Sequence, residues 1–195
     1  MAETARRMAT WEDIANSLDD GRTYEVVDGQ LEVFPRPLPR HARAEVRLVS
    51  RISPPFDEGV GGPGGWWILI ETEVELGQND IVVPDVVGWR RERLPSFPEE
   101  RPIRVTPDWV CEVLSPSHPR RDRIVKADLY LTYRVPHYWI LDLDARVLEA
   151  YANRDKGWLR LGAWSDGDKP RIEPFEAIEL DVEKLFPPLP PSSGS

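Results

Sequence analysis

An α+β fold, a mixed β-sheet flanked by helices with a β-hairpin towards each end, is what three features of this sequence predict. Short runs rich in Val and Ile, separated by turn signals, mark strands. The passage from Asp108 to Leu143 reads strand–helix–strand, which calls for two parallel strands joined by a crossover. Runs divided by short polar turns near residues 28 and 155 call for antiparallel hairpins. At 195 residues, with 41% hydrophobic and 30% charged content, one domain over residues 10–186 is expected. Residues 1–9 are expected to be flexible, and the Pro/Ser-rich 187–195 a disordered tail.

Taken in order, Thr10 followed by Asp13 resembles a helix start, opening a short helix to about Leu18. Tyr24 to Val27, Asp28-Gly29 and Gln30 to Phe34 form the first hairpin, with the Asp-Gly pair suited to a two-residue turn. Ala42, Val46, Val49 and Ile52 share one face of a helix over Arg40 to Ile52, which Pro54-Pro55 ends. Gly59 to Gly65 reads as a mobile loop. Trp66 to Leu76 and Ile81 to Arg90 read as a long antiparallel pair, with Asp85 midway along its second strand. The proline-rich stretch Arg91 to Pro107 is a surface loop. Asp108 to Leu114 is a strand, Arg121 to Arg134 a helix and Tyr138 to Leu143 a central strand. Val147 to Ala152 and Trp158 to Trp164 make the last hairpin, and Ile178 to Phe186 closes the domain.

Bulk properties narrow the function. No apolar run approaches the roughly 20 residues a membrane span needs. The first residues lack the apolar core of a signal peptide, and the single cysteine, Cys111, excludes an internal disulfide. Together these favour the cytoplasm. A net charge of −9 is not that of a general nucleic-acid-binding domain. Any contact with DNA must come from a local basic patch or through bound cations.

Two carboxylates stand out because each interrupts an apolar run: Asp85 in Ile81 to Val87, and Glu112 in Trp109 to Leu114. Such groups are costly to bury unless paired, and one metal ion would pair with both. Mg²⁺ or Mn²⁺ on Asp85 and Glu112, with the backbone carbonyl of Val113 as a further ligand, would activate water for phosphodiester hydrolysis. Lys126 would stabilise the developing negative charge. It shares a helix face with Tyr130 and Tyr133. His41 and Glu45, one helical turn apart, are candidate accessory groups, as is Tyr130. His118, Arg120, Arg121 and Arg123 form a basic cluster suited to backbone phosphates. Ser115 and Ser117 lack the flanking glycines of a nucleophile elbow. One cysteine and three scattered histidines do not make a zinc site.

Pro84-Asp85, then Glu112-Val113-Leu114 after a spacer, resembles the pattern of the PD-(D/E)XK nuclease superfamily. The fuller strings Pro107 to Ser117 and Val135 to Asp142, together with Asp122, Lys126, Tyr130 and Tyr24 to Gly29, resemble the Uma-two family of restriction-endonuclease-like proteins. The resemblance spans roughly Thr10 to Phe186. It implies a restriction-endonuclease-like fold, divalent-metal-dependent cleavage of DNA, Asp85 and Glu112 as metal ligands, and a homodimer when both strands are cut. The superfamily pattern would place its lysine at 114, where this chain has Leu114; the resemblance places that role on Lys126. Two other readings fit the residues: a catalytically degenerate nuclease fold that binds nucleic acid or protein, and a metal-dependent hydrolase of a small phosphoester.

Overall fold

The computed structural model describes residues 7–17, 20–114, 121–155 and 157–188. Its elements in chain order are helix α1 (Trp11–Ala15), strands β1 (Thr23–Val27) and β2 (Gln30–Phe34), and helix α2 (Pro39–Ile52), which continues into a π-helical turn, Ser53–Asp57. Strands β3 (Trp66–Ile70), β4 (Val74–Gly77), β5 (Asp80–Val82), β6 (Val86–Arg90) and β7 (Trp109–Val113) follow. A second π-helical turn, Arg121–Lys126, leads into helix α3 (Ala127–Thr132). Strands β8 (His137–Asp142), β9 (Val147–Arg154) and β10 (Gly157–Trp164) and a 3₁₀ turn, Val182–Leu185, complete the chain.

The strands form two sheets. The larger has six strands in the order β10-β9-β8-β7-β6-β3, and the smaller four in the order β2-β1-β5-β4. Strands β7 and β8 are parallel, as the strand–helix–strand passage requires, and every other pair is antiparallel. The two terminal hairpins are β1–β2 and β9–β10. Asp28 and Gly29 both adopt positive φ, 50° and 68°, as a type I′ turn demands.

The expected long hairpin of Trp66 to Arg90 is broken in the middle. Its outer part, β3 with β6, belongs to the large sheet, and its tip, β4 with β5, belongs to the small one. The break falls where Glu71 takes a positive φ of 44° and Pro84 has no amide to donate to a ladder. Asp85 therefore lies in the bend between β5 and β6, not midway along a strand. Helix α2 also differs from expectation. Its buried residues are Ala44, Glu45, Leu48 and Ile52, whereas Ala42 is exposed and Val46 is 60% exposed. The expected surface loop Arg91 to Pro107 is anchored at Ile103, which exchanges backbone hydrogen bonds with Glu73 and Glu75. The described part of the expected flexible N-terminus is anchored as well, the Ala9 amide donating to Gly29 O at 2.8 Å.

Strand alternation explains how the core is divided. Trp109, Cys111 and Val113 of β7 and Trp139 and Leu141 of β8 face one layer, with Ala44, Leu48 and Ile52 of α2. Val110 of β7 and Tyr138 and Ile140 of β8 face the opposite layer, with Ala127, Leu129 and Tyr130 of α3 and residues of the small sheet. The first layer is pinned by aromatic edges: Trp109 meets Trp139 at 5.3 Å and Phe175 at 4.8 Å between ring centroids. Glu112, out of step with Cys111, must point to the α3 side.

His137, at the start of β8, has a buried Nδ1 with no hydrogen-bond partner among the described residues. Burial lowers its pKa from 6.5 to about 4. The unfolded chain therefore takes up a proton near pH 6.5 that the folded chain refuses until about pH 4, so stability falls as pH drops through that window. After allowance for partial exposure the loss is on the order of 2 kcal/mol. Urea unfolding of wild type and His137→Asn from pH 7 to pH 4 should give the variant a shallower acid limb by about that amount. Parallel limbs would assign the loss to carboxylates elsewhere.

Candidate metal and catalytic site

The antiparallel pairing of β6 with β7 sets the start of one beside the end of the other, so Asp85 comes to lie at Val113. The Val113 amide donates to Asp85 Oδ2 at 2.6 Å. Around this contact is a cavity of about 370 Å³, lined by Glu25, His41, Glu71, Asp85, Glu112, Val113, Arg121, Asp122 and Lys126, with Arg36 and Arg40 among its other walls. Asp85, Glu112, Val113 and Lys126, separated in sequence, thus share one cavity. Helix α2 reaches it from one face of the large sheet, and α3 with its π turn from the other.

On the α2 side, His41 Nε2 lies 3.0 Å from Glu45 Oε1 and 3.1 Å from Asp85 Oδ1. One donor atom from each of these three residues falls within 4.8 Å of the others. Burial would lower the pKa of His41, but the two carboxylates outweigh it and raise the pKa to about 10. The two carboxylates thus favour the charged imidazole at the point where the three donor atoms converge. The accessory pair His41 and Glu45 does reach Asp85, and it does so on the buried face of α2.

On the α3 side, Lys126 Nζ donates to both oxygens of Glu112 at 2.9 Å, and Tyr130 OH donates to Oε1 at 2.5 Å. Burial pushes the Glu112 carboxyl up to about 8, against the pull of the Lys126 charge. Burial disfavours the charged lysine, yet Glu112 and Glu25 together raise its pKa and keep it protonated. Tyr133, expected on the same face, instead donates to Asp80 Oδ2 at 2.6 Å and ties α3 to the small sheet.

Glu25 completes this cluster. It is 1% exposed in β1, its Oε1 accepts the Val83 amide at 2.7 Å and lies 3.2 Å from Lys126 Nζ, and its Oε2 pairs with Arg121. In an α-helix, residues five apart diverge by about 140°. The wider π turn brings Arg121 and Lys126 onto the same carboxylate. The sign that singles out Glu112, a carboxylate inside an apolar strand, is equally present in Tyr24-Glu25-Val26-Val27. Glu71 and Asp122 also line the cavity, and burial raises the pKa of each.

The expected phosphate-binding cluster is not an open patch where it is described. Arg121 is held by Glu25 and Glu32, with Arg121 Nε to Glu32 Oε2 at 2.9 Å, and Arg123 pairs with Asp142 at 2.9 Å and Glu149 at 2.7 Å. His118 and Arg120 lie outside the described residues, as do Ser115 and Ser117.

Removing Lys126 would strand Glu112 in a buried site. Lys126→Met is expected to cost about 3 kcal/mol. Adding Glu112→Gln, which removes the carboxyl left without its partner, should recover about half, since Glu25 keeps Arg121. Chemical denaturation of the two variants checks this. An additive double variant would mean that the two side chains do not interact.

Comparison with known proteins places this geometry in context. The sequence model of the Uma2 family, described as "putative restriction endonuclease", matches residues 9–183. The fold is similar to the crystal structure of a putative nuclease belonging to DUF820 from Anabaena variabilis ATCC 29413, with a TM-score of 0.71 at 19% identity, covering 91% of this chain and 97% of that one. No curated protein matches the chain.

Proposed function

The chain belongs to the Uma2 family, and from that premise we propose that it is a divalent-cation-dependent nuclease that hydrolyses phosphodiester bonds of DNA in the Asp85 cavity. The observation that carries this reading is the convergence of His41, Glu45 and Asp85 donor atoms within 4.8 Å, beside Glu112 and its paired lysine. Two carboxylates and an imidazole are a donor set that fits Mn²⁺ well and Mg²⁺ less well, since Mg²⁺ prefers oxygen. Asp85, His41 and Glu45, with the Val113 carbonyl, are the groups that would hold the ion, while the Glu112 carboxylate, both of whose oxygens accept from Lys126, would stay with its lysine. Bound there, it would neutralise charge at the scissile phosphate and acidify a water ligand.

The protein's own groups do the rest. The Val113 amide and the imidazole hold the Asp85 carboxylate in one orientation, so little reorganisation is needed when the substrate arrives. Lys126, kept charged by Glu112 and Glu25, sets a fixed positive charge at the cavity wall as negative charge builds on the phosphoryl oxygens. Arg36 and Arg40 line the same cavity and can meet the phosphate that bears the scissile bond. Leu114 in place of a lysine leaves this part of the wall apolar, and Lys126 supplies the missing charge from the π turn.

Calorimetric titration with Mn²⁺ and Mg²⁺, run beside supercoiled-plasmid nicking, tests the proposal. Wild type should bind Mn²⁺ at least tenfold more tightly than Mg²⁺ and nick DNA. Asp85→Asn should lose measurable binding and at least 100-fold of the nicking rate. Metal binding by wild type with no cleavage of DNA would sink the nuclease reading.

A further inference from the structure

The basic cluster expected before α3 is committed to carboxylates, yet the protein has a second concentration of positive charge, on α2. Arg40, Arg43, Arg47 and Arg51 recur at intervals of three, four and four, which is one stripe of a helix. The stripe lies about 140° around the helix from the one that carries His41 and Glu45. Arg40 lines the Asp85 cavity, and Arg43 and Arg47, about 5 and 10 Å further along the axis, line a second cleft of about 310 Å³. The cleft also holds Arg146 and Lys184. A second element spans the same two places: in the turn between β8 and β9, Leu143 lines the cavity, Arg146 lines the cleft, and Asp144 pairs with Arg40. The cleft and the cavity are therefore neighbours along one surface.

The cations of this cleft are unevenly neutralised. Arg146 is held by Asp166 and by Pro187 O, and Lys184 lies 3.0 Å from Asp181. Among the described residues, Glu183 is the one carboxylate on the cleft's walls. Arg43 and Arg47 make no ion pair among the described residues, and Arg47 Nε is buried without a hydrogen-bond acceptor. A buried donor without an acceptor is costly, and an incoming anion relieves it. Arg47 also presses on its neighbour: burial and the Arg47 charge together lower the pKa of Arg51, with Asp181 opposing. In a chain of net charge −9, unneutralised arginines collected beside the candidate reaction site point to a polyanion that must enter that site.

We infer that the arginine stripe of α2 and the cleft beside it bind the sugar–phosphate backbone of a nucleic-acid strand whose scissile bond lies in the Asp85 cavity. The inference rests on the nuclease reading for the identity of the polyanion. Arg43 and Arg47 contact phosphates flanking the cleavage position, and Arg40 stands where the strand turns into the cavity. Contacts of this kind hold the strand in register without reading its sequence. They also explain how an acidic protein can take an acidic substrate: repulsion from the bulk of the surface leaves a single approach.

The test compares Arg43→Glu/Arg47→Glu with a control of equal charge change, Arg104→Glu/Arg160→Glu, whose side chains are 57% and 56% exposed elsewhere on the molecule. A milder Arg43→Gln/Arg47→Gln variant guards against loss of helix, which circular dichroism checks. Fluorescence anisotropy of a fluorescein-labelled 20-mer with Ca²⁺ present reads binding across a salt series, and bis(p-nitrophenyl) phosphate with Mn²⁺ reads the reaction centre without a strand. The α2 variants should bind the 20-mer at least tenfold more weakly than wild type, the Glu pair more so, with the salt slope reduced by about 2, and should hydrolyse the small ester as wild type does. The control should stay within about twofold of wild type. Unchanged binding in the α2 variants, equal loss in the control, or equal competition by polyglutamate would each overturn the inference. Binding through Arg43 and Arg47 in a wild type that hydrolyses neither substrate would leave the track standing and remove the nuclease reading alone.

Discussion

The hydrogen bond from the Val113 amide to Asp85 holds together the place where the two sheets diverge. A regular hairpin from Trp66 to Arg90 would give one large sheet and bury Asp85 in its middle, where no cavity exists. Pro84 and the positive φ of Glu71 break the hairpin, and its tip turns away to pair with β1. That turn costs backbone pairing at residues 72–73 and 83–84. The freed Val83 amide binds the Glu25 carboxylate, and the β3–β6 pairing keeps a last rung from the Glu71 amide to Asp85 O at 3.2 Å. The corner is thus built from the carboxylates that line the cavity. Buried backbone groups need partners, and here the candidate reactive side chains supply several of them.

The same corner explains why charged groups can be buried so densely. Glu112, Lys126 and Glu25 are each at most 4% exposed. Alone, any of them would be costly in such a place. Lys126 stands between two carboxylates, Glu25 between a lysine and an arginine, and Tyr130 supplies a further donor. The π turn is what makes this cluster possible, since a regular helix would direct Arg121 and Lys126 to different neighbours. Mutual pairing of this kind makes a cluster rigid. Rigidity suits a site that must present charge at fixed positions.

Much of this was legible in the sequence, and the exceptions have a common cause. Glu112 meets Lys126 and Tyr130 because strand alternation and the four-residue spacing are local rules, whereas the π turn that brings Arg121 onto Glu25 is not marked in that spacing. The parallel β7–β8 pair and both terminal hairpins follow for the same reason. Asp85 was recognisable as a candidate but not its place in a bend, because Ile81 to Val87 reads as one strand unless Pro84 is given full weight. Helix α2 is more instructive. Its apolar residues suggest a face through Ala42 and Val46, but the face that packs inward carries His41 and Glu45 beside Ala44 and Leu48. Polar residues of the candidate site occupy inward positions and so rotate the apparent apolar stripe away from the true one. A departure from the simple pattern of this kind is expected where a helix serves a site as well as a core.

Helix α2 shows how one short element can satisfy opposing electrostatic demands. A cation site needs carboxylates, and a nucleic-acid substrate is repelled by them. Dispersing arginines over the whole surface would attract polyanions everywhere and direct them nowhere. Placing Glu45 and His41 on one stripe and Arg40, Arg43 and Arg47 on another separates the two fields by about 140° of helix rotation, while keeping them within a few residues of each other. On the proposed reading the fields would act in sequence along a path: positive charge would gather the strand on the outside, and the carboxylates would meet it only at the cavity. Screening sharpens the division, since the exposed arginines act over roughly 8–10 Å in ordinary salt, about the distance from the cleft to the cavity mouth along the helix, whereas the buried carboxylates are shielded far less by ions. An overall acidic composition is then no obstacle to nucleic-acid chemistry, because what the substrate meets is the local arrangement of charge and not its sum.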